Sequence, residues 1–272
     1  MAERKAWEGV IRIPVAERTQ KPRTVGWTMV IDKGLGLNQI DDLLGSAAAA
    51  IDVIKLTFGT SAFVPYDLLK EKVKRIASAG CDVMPGGTFQ EVAVWQRSYD
   101  RYLERAQALG FNAIEISDGT IEMDLKTRRS VIEQAVKAGF RVLTEVGKKD
   151  PNDALPMSVL ADQVMHDLSL GAFMVIMEAR EAGKGVGIYD ASGLPKESEI
   201  EAFLRGVKDP SRLLWEAPLG NQQKYLILKF GPNVNLGNIP PEDVLALEAL
   251  RCGLRGDTLK RAWQADREYR RG

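Results

Sequence analysis

Short apolar segments alternate with amphipathic ones along most of this chain. Each apolar segment is followed by a stretch in which apolar residues recur every three to four positions, and this pairing predicts repeated strand–helix units. Eight such units lie between about residue 24 and residue 258. Because no change of pattern separates them, we predict a single α/β domain rather than two.

Glycine residues mark several of the predicted helix ends. Gly80, Gly110, Gly139 and Gly171 each stand between a predicted helix and the next strand, where a left-handed glycine ends a helix well. After the third strand we predict one long helix from Thr88 to Leu109. The eight predicted strands are VGWTMVIDKG, IDVIKLTFG, CDVMPGG, NAIEISDG, RVLTEVGKKD, AFMVIMEARE, RLLWEAP and PNVNLGN.

The number of units favours one fold class. Eight strand–helix units match a (β/α)8 TIM barrel, which takes about 250 residues. A doubly wound open sheet is the alternative, but it usually has fewer strands, and no GxGxxG motif follows the first strand. We therefore predict a barrel at residues 24–258, a polar N-terminal arm at residues 1–23 and a charged C-terminal tail at residues 259–272.

Alternation within the strands predicts which side chains point into the barrel. Where apolar residues take the helix side, the polar residues between them should face the lumen. Buried charges must be paired, bound to metal or hydrated, and active sites of this fold lie at the carboxyl ends of the strands. We interpret the polar layer as a reaction site, with an internal salt-bridge network as the alternative. Its predicted members are Asp32, Lys55, Glu115, Ser117, Glu145, Glu178, Glu216, Asn233 and Asn235.

The fifth strand ends in a carboxylate and two lysines. Glu145 is followed by Lys148 and Lys149, while the only histidine, His166, lies in a helical segment away from any strand end. Acid–base chemistry therefore falls to lysine, glutamate or aspartate, and a lysine beside a second cation is easier to deprotonate. We select Lys148, Lys149 and the inward-facing Lys55 as candidate catalytic residues; two exposed loop lysines are the alternative reading of the pair.

The polar layer also predicts a metal ion and an anionic substrate. Carboxylates that converge in a barrel mouth are hard oxygen ligands suited to Mg²⁺, and we select Glu145, Glu178 and Glu216 as its candidate ligands. Glycine-rich turns at helix starts and nearby cations can hold phosphate. The candidate groups for substrate or anion binding are Lys33, Gly86, Gly87, Arg180, Lys184, Asn235, Gly237 and Asn238.

Composition excludes several other functions. The 37 basic and 37 acidic residues cancel, which argues against a general nucleic-acid partner. No apolar run approaches the roughly 20 residues of a membrane helix, and the N-terminus lacks the hydrophobic region of a secretory signal. Cys81 and Cys252 stand far apart, which is typical of reduced thiols. We expect a cytoplasmic protein with no membrane or nucleic-acid partner.

A series of longer motifs extends over about residues 21–258. In chain order they are TMVIDKGLGLNQIDDLL, KLTFGTS, PGGTFQE, GFNAIEISDGTI, EVGKKDP, EAREAGKGVGIYD, LLWEAPLGNQQ and FGPNVNLGNIPPEDVLALEALRCGLRGDT. In these motifs the chain resembles the phosphosulfolactate synthase family. The resemblance implies a TIM barrel, Mg²⁺ dependence and a homo-oligomer, with a trimer as the candidate size. It also implies addition of sulfite to C3 of phosphoenolpyruvate, giving (2R)-2-O-phospho-3-sulfolactate, a step toward coenzyme M. The proton donor to C2 would lie in EVGKK, where we favour Lys148 over Lys149.

Two alternatives to this function stay open. A barrel of the same family could add another nucleophile to an enol phosphate. The family also has plant relatives associated with heat stress, so a non-catalytic stress-associated protein is the alternative from a different class. Family likeness alone does not fix the reaction.

Overall fold

Eight parallel strands form a nearly closed barrel in the computed structural model, which describes residues 5–269. Neighbouring strands pair in the order β3-β2-β1-β8-β7-β6-β5-β4, so the first and last strands of the chain lie side by side. The predicted TIM barrel is therefore confirmed. The strands are β1 Thr28–Asp32, β2 Val53–Leu56, β3 Asp82–Pro85, β4 Ala113–Ile116, β5 Arg141–Val146, β6 Met174–Met177, β7 Leu213–Glu216 and β8 Asn235–Ile239.

Helices follow every strand and form the outer layer. In the described residues, no helix is long and apolar enough to span a membrane. The predicted glycine ends are confirmed, since Gly80, Gly110, Gly139 and Gly171 all have φ between 73° and 100°. The helices are α1 Leu37–Ala47, α2 Tyr66–Ser78, α3 Gly87–Trp95, α4 Tyr99–Leu109, α5 Leu125–Lys137, α6 Met157–Ser169, α7 Glu197–Gly206, α8 Gly220–Phe230, α9 Val244–Arg251 and α10 Gly256–Tyr269.

The prediction of one long helix after the third strand is wrong. The chain leaves the helix after Trp95, passes through Arg97 at φ 55°, and begins α4 at Tyr99. The amide of Ser98 reaches back to the carbonyl of Ala93 at 2.9 Å, which closes the first helix. The apolar periodicity continues across the break, so periodicity alone could not reveal it.

Two apolar layers hold the barrel together. The larger lies between the strands and the helices, and the smaller fills the lower lumen. Above the lumen layer the inward-facing positions become charged, as alternation predicts for Lys55, Glu115, Glu145, Glu178 and Glu216, all buried. The lower lumen is filled by Trp27, Met29, Val53, Met84, Ala113, Leu143, Met174, Ile176 and Leu214.

Strand β1 is turned opposite to the prediction. Met29 belongs to the lumen layer, and Ile31 lines the mouth of the barrel. Asp32 instead faces the helices, where its carboxylate lies 2.5 Å from the ammonium of Lys72 on α2 and accepts from the amides of the following turn. Its partner lies 40 positions along the chain, so the strand pattern gave no sign of it.

The barrel wall has a seam between β3 and β4. These strands lie side by side, but no hydrogen-bonded ladder joins them among the described strands. Side chains bridge the gap instead. The amide of Val83 donates to Asn112 Oδ1 at 2.8 Å, the amide of Gly87 to Glu115 Oε2 at 2.8 Å, and the amide of Ser117 to Gln90 Oε1 at 3.0 Å.

The predicted polar arm packs against the floor of the barrel in its second half. Arg18, buried, pairs with Glu248 of α9 at 2.9 Å, and Arg23 pairs with Asp52 at 3.3 Å. Helix α10 begins at Gly256, so it crosses the predicted boundary at residue 258. The division of the chain into a separate arm, barrel and tail stays a prediction.

Gly237 in β8 should be sensitive to substitution because its missing side chain leaves room for the lumen core. A Cβ at this position would lie 2.3 Å from Leu214 Cδ2 and 2.7 Å from Met29 Cε. We expect Gly237→Ala to lower the free energy of unfolding by about 1–3 kcal/mol, as overpacked cores do. The matched control is Gly45→Ala in α1, where a Cβ meets nothing within 4 Å; it should raise stability by about 0.5–1 kcal/mol. Urea titration measures both changes, and equal effects would contradict the argument.

Candidate active site

The carboxyl ends of the strands surround a pocket of about 230 Å³. Its floor is the charged layer above the lumen core, and its rim is made by the loops after β2, β3, β4, β5 and β6. The lining residues are Ile31, Lys55, Thr57, Phe58, Gly86, Gly87, Thr88, Glu115, Thr120, Glu145, Lys149, Glu178, Arg180, Glu181, Glu216 and Asn238.

Lys55 connects two of the acids at the pocket floor. Its ammonium lies 3.1 Å from Glu115 Oε1 and 3.0 Å from Glu216 Oε1. The second oxygen of Glu115 accepts from the Gly87 amide at the start of α3, and the second oxygen of Glu216 accepts from the Ala179 amide at 2.9 Å. Both acids are therefore held on all sides, and they fix Lys55 in a single place.

Lys149 connects the other two acids. Its ammonium lies 2.6 Å from Glu145 Oε1 and 2.6 Å from Glu178 Oε2. Gly119 makes room for it, because a Cβ there would lie 2.6 Å from the same nitrogen. Of the three site residues predicted from β5 and its loop, Glu145 and Lys149 therefore line the pocket.

Lys148, the favoured proton donor of the sequence prediction, points away from the pocket. Its ammonium donates to the carbonyl of Asp118 at 2.6 Å and lies 3.4 Å from that residue's carboxylate. Gly147, at φ 115°, separates the strand end from the lysine pair and sets the direction of both side chains. Because Lys149 lines the pocket and Lys148 does not, Lys149 is the better candidate for the proton donor.

Strained backbone is concentrated at this pocket. Four non-glycine residues among those described have positive φ, and three of them, Phe58 at 57°, Arg180 at 60° and Asn238 at 53°, line it. Residues in this region of φ and ψ are costly and collect at functional sites. At Asn238 the cause is a bulge: β8 advances from Leu236 to Ile239 while β1 advances only from Thr28 to Val30. Bulges of this kind redirect a side chain beside an active site.

Burial and mutual repulsion raise the pKa values of two of the acids, whereas the neighbouring lysines lower that of a third. Burial raises the pKa of Glu115 to about 8, although Lys55 counteracts it. Burial, with Glu145 and Glu216 nearby, raises the pKa of Glu178 well above its usual value. Glu145 has a lowered pKa, because Lys149 and Lys55 outweigh its burial. One strongly ionised carboxylate thus lies beside two that resist ionisation.

This arrangement suits a divalent cation. Glu145, Glu178 and Glu216 each offer a buried oxygen, and these oxygens lie within 4.8 Å of one another. With all four buried carboxylates ionised, they and the two ammonium groups carry a net charge of −2, which a bound Mg²⁺ would balance; a bound cation would also favour the ionised forms of Glu115 and Glu178. Among residues 5–269, Glu178 Oε2 is buried and accepts no hydrogen bond, and it lies 2.6 Å from the ammonium of Lys149. The residues present therefore fit an oxygen-liganded ion.

Four of the predicted anion-binding side chains lie in three different places. Arg180 and Asn238 line the pocket, and Asn238 Oδ1 is buried without a hydrogen-bond partner in residues 5–269. Lys33 is exposed at the rim, with its ammonium 5.8 Å from the ring centre of Phe58. Lys184 is exposed on the loop after β6 and does not line the pocket.

The predicted glycine cradle for an anion is occupied by the protein itself. The amide of Gly86 donates to the carbonyl of Leu56 at 3.0 Å, and that of Gly87 donates to Glu115. A Cβ on Gly87 would lie 2.6 Å from Ser117 Cβ. These glycines therefore allow α3 to approach the acids, and Gly237 likewise serves lumen packing.

Asn235 and Asn233 lie at the opposite end of the barrel from the pocket. Asn235 Oδ1 accepts from the amides of Gly26 and Trp27, and its amide group donates to the carbonyls of Ser211 and Leu213. Asn233 is bound by the N-terminal segment. The prediction that Asn235 binds substrate is therefore corrected: Asn235 joins the starts of neighbouring strands at the barrel floor. Strand alternation predicts only that it faces inward, and it lies at the floor because it is the first residue of β8.

A buried ionic network behind the pocket escaped the sequence prediction. Arg128 of α5 is fully buried and pairs with Asp167 at 2.5 Å and with Asp118 at 3.0 Å. It also donates to the carbonyl of Glu145 at 2.9 Å. Arg128 therefore ties the loop after β4 to the end of β5 and to α6. A helix arginine with distant partners carries no local signal in the sequence.

Glu91 on α3 also supports the site without having been predicted. It is buried, accepts from the hydroxyl of Ser117 at 2.9 Å, and accepts from the amides of Thr120 and Ile121. Ser117 Oγ also lies 2.8 Å from Glu145 Oε1, so its single hydrogen serves one of the two carboxylates at a time. Its position one turn into the helix after Gly86 and Gly87 was the available clue, because helix starts in this fold face the pocket.

Comparison with known proteins agrees with this architecture. A solved 3-hexulose-6-phosphate synthase from Salmonella typhimurium shares the fold, with a TM-score of 0.53, 14% identity, and coverage of 84% of this chain and 100% of that one. The phosphosulfolactate synthase of Methanothermobacter thermautotrophicus is 46% identical over 244 residues, which cover 89% of this chain and 94% of the relative. The protein HEAT-STRESS-ASSOCIATED 32 of Arabidopsis thaliana is 22% identical and covers 86% of this chain and 88% of its own length. Residues 16–257 match the family of (2R)-phospho-3-sulfolactate synthases (ComA), and the chain belongs to that family.

Proposed function

We propose that this chain is a Mg²⁺-dependent phosphosulfolactate synthase that adds sulfite to C3 of phosphoenolpyruvate and gives (2R)-2-O-phospho-3-sulfolactate. The observation that carries the proposal is the ammonium of Lys149 between Glu145 and Glu178, in a pocket lined by four buried carboxyl groups and two lysines. The pocket thus combines a proton donor with a set of oxygen ligands. Family membership supports the same reaction.

The reaction needs one bond-forming step at each alkene carbon. The sulfur lone pair of sulfite forms the C–S bond at C3, and the electrons of the C2–C3 double bond move toward C2 and its carboxylate. The Lys149 ammonium then gives its proton to C2, and the lysine regains a proton from solvent. Arg180, which lines the pocket, and Lys33 at its rim are the cations available to hold phosphate or sulfite.

Lys149 starts as a weak acid. Burial favours its neutral form, but Glu145 and Glu178 outweigh burial and raise its pKa above the usual value. Any neutralisation of these carboxylates would return the pKa toward its ordinary range and make the proton easier to give. Lys55, held by Glu115 and Glu216, has a raised pKa despite its burial and keeps its charge. We therefore assign proton transfer to Lys149 and a positioning role to Lys55.

Glu145, Glu178 and Glu216 would hold Mg²⁺. When bound, the ion would supply positive charge beside the carboxylate of the substrate, where negative charge builds up. The chain's own contribution is to keep the three oxygens close together and to keep Lys149 within reach of them.

The direct test is turnover of the purified protein with phosphoenolpyruvate, sulfite and Mg²⁺. We expect loss of both substrates and formation of phosphosulfolactate, which ³¹P and ¹³C NMR would monitor. After removal of divalent ions with EDTA we expect little turnover. Absence of product over a range of pH and metal ions would reject the proposal. If another nucleophile replaces sulfite productively, the related-barrel alternative is favoured.

The stress-associated alternative predicts a pocket without catalysis. The acids and lysines of the pocket are all in place, which argues against it. A homo-oligomer, with a trimer as candidate size, and a cytoplasmic location stay predictions. Sedimentation analysis of the full chain would measure the first.

A further inference from the structure

A second cavity of about 230 Å³ lies on the outside of the barrel, between α2, α4 and the loop after β2. Its walls are mainly aromatic and aliphatic, with Tyr66, Leu69, Phe89, Tyr102, Leu109 and Phe111 among them. An apolar cavity of about 150 Å³ is large enough to bind benzene. This one has room for one aromatic ring and a small substituent.

Two hydroxyl groups on the lining residues lack hydrogen-bond partners. Ser61 Oγ and Tyr102 Oη are both buried, and neither has a partner in the described part of the chain. An unsatisfied buried polar group costs about 1–3 kcal/mol, and most buried groups of this kind in native proteins are satisfied. Burial raises the pKa of the Tyr102 phenol well above its usual value, so it is a neutral donor. Two residues that line the same cavity thus each carry a buried hydroxyl without a partner among residues 5–269, which leaves room for a ligand with an acceptor.

A cation also borders this cavity. Arg105 of α4 lines it, is exposed, and has its guanidinium 5.5 Å from the ring centre of Tyr66. In residues 5–269 it forms no ion pair with a carboxylate. A guanidinium stacked on an aromatic ring keeps its donors free for a planar carboxylate.

We propose that this cavity is a second binding site that takes a monocyclic aromatic carboxylate. The ring packs among Phe89, Tyr102 and Phe111, and the carboxylate pairs with Arg105. A polar substituent on the ring accepts hydrogen bonds from Ser61 and Tyr102. The site is separate from the pocket of charged residues, and the proposal does not rest on the proposed function.

The position of this cavity connects it to the reaction pocket through one loop. Thr57 and Phe58 line the reaction pocket, while Ser61 and Ala62 line the second cavity. Within this loop the hydroxyl of Thr60 donates to the carbonyl of Thr57 at 2.8 Å, and Gly59 lies against Phe89. A ligand in the second cavity therefore contacts the same short segment that places the strained Phe58.

The test uses the full chain with 4-hydroxybenzoate and its uncharged analogue 4-hydroxybenzamide. At ten times its dissociation constant, 4-hydroxybenzoate should raise the melting temperature by about 3 °C, and calorimetry should give one site per chain. Arg105→Gln should weaken 4-hydroxybenzoate at least about tenfold and leave the amide unchanged. The matched control, Arg101→Gln on the same helix but outside the cavity, should bind as the unaltered protein does.

Tyr102→Phe separates binding from folding. Loss of the orphaned hydroxyl should leave the unliganded protein as stable as before or more stable, while binding of 4-hydroxybenzoate weakens. The proposal is overturned if no shift occurs up to about ten millimolar ligand, or if Arg105→Gln and Arg101→Gln bind equally. It is also overturned if the cavity is filled by a second copy of the chain, seen as a melting temperature that rises with protein concentration while the ligand has no effect.

Discussion

Replacement of Lys149 by methionine is expected to abolish turnover and, at the same time, to strengthen Mg²⁺ binding. The ammonium occupies the space between Glu145 and Glu178, at 2.6 Å from an oxygen of each. These are two of the three acids that would hold the ion. Lysine and metal therefore compete for the same oxygens, and removal of the ammonium frees the metal ligands as well as deleting the proton donor.

The two effects of Lys149→Met have different sizes and measurements. Loss of a general acid lowers the turnover rate by about 10²–10⁴-fold. Loss of one positive charge within about 4 Å should tighten Mg²⁺ by at least about tenfold, measured by titration calorimetry. The matched control is Lys148→Met, one residue earlier, because Lys148 is bound to Asp118 outside the pocket. It should keep turnover within about threefold, because the Lys148 ammonium contacts Asp118 and gives no proton to the pocket. If Lys148→Met loses turnover while Lys149→Met keeps it, the assignment of the proton donor is wrong.

Replacement of Lys55 by methionine is expected to destabilise the fold more than any other single change at the pocket. Lys55 is buried and lies between Glu115 and Glu216, which are themselves about 1% exposed. Removal of one partner from a buried ionic set costs about 3–5 kcal/mol, because the remaining charges stay buried without compensation. For a chain of this size the melting temperature should fall by on the order of 10 °C.

The control for Lys55→Met is a lysine of equal chemistry at the surface. Lys196 pairs with Glu199 at 2.7 Å, but both side chains are more than a third exposed. Lys196→Met should change the free energy of unfolding by less than about 1 kcal/mol. Chemical unfolding in the presence of EDTA measures both variants without metal. Equal stability of the two variants would show that the floor of the pocket does not depend on Lys55.

The sequence predicted the fold and the identity of most of the pocket because both follow from local periodicity. Strand alternation placed Lys55, Glu115, Glu145, Glu178 and Glu216 on the inner face, and all five line the pocket. The apolar residues that flank each of them are buried against the helices, so only one orientation buries the apolar side. This argument holds for any strand whose polar residue has no strong partner outside the barrel.

Alternation does not predict the orientation of a side chain that has a strong partner elsewhere in the chain. Asp32 was expected inside, but Lys72 of α2 holds it on the helix side. The lysine pair after β5 was ambiguous because a loop has no period, and Gly147 with a positive φ sets its direction. An inward-facing residue lies at the floor of the barrel if it begins a strand and at the mouth if it ends one. Asn235 is the first residue of β8, a boundary that alternation does not predict, so it lies at the floor. Arg128 has no sequence signal at all, since its partners come from three other elements.

The seam between β3 and β4 gives the barrel an adjustable circumference. Everywhere else the ring of strands is closed by backbone hydrogen bonds, whose spacing hardly varies. At the seam the closure runs through the side chains of Asn112, Gln90 and Glu115, which have rotatable bonds. Because Glu115 also belongs to the charged floor, the same carboxylate takes part in the closure of the seam and in the ionic network of the pocket. Backbone hydrogen bonds thus close the barrel wall except at this seam, where side chains close it, and one of these side chains, Glu115, lines the reaction pocket.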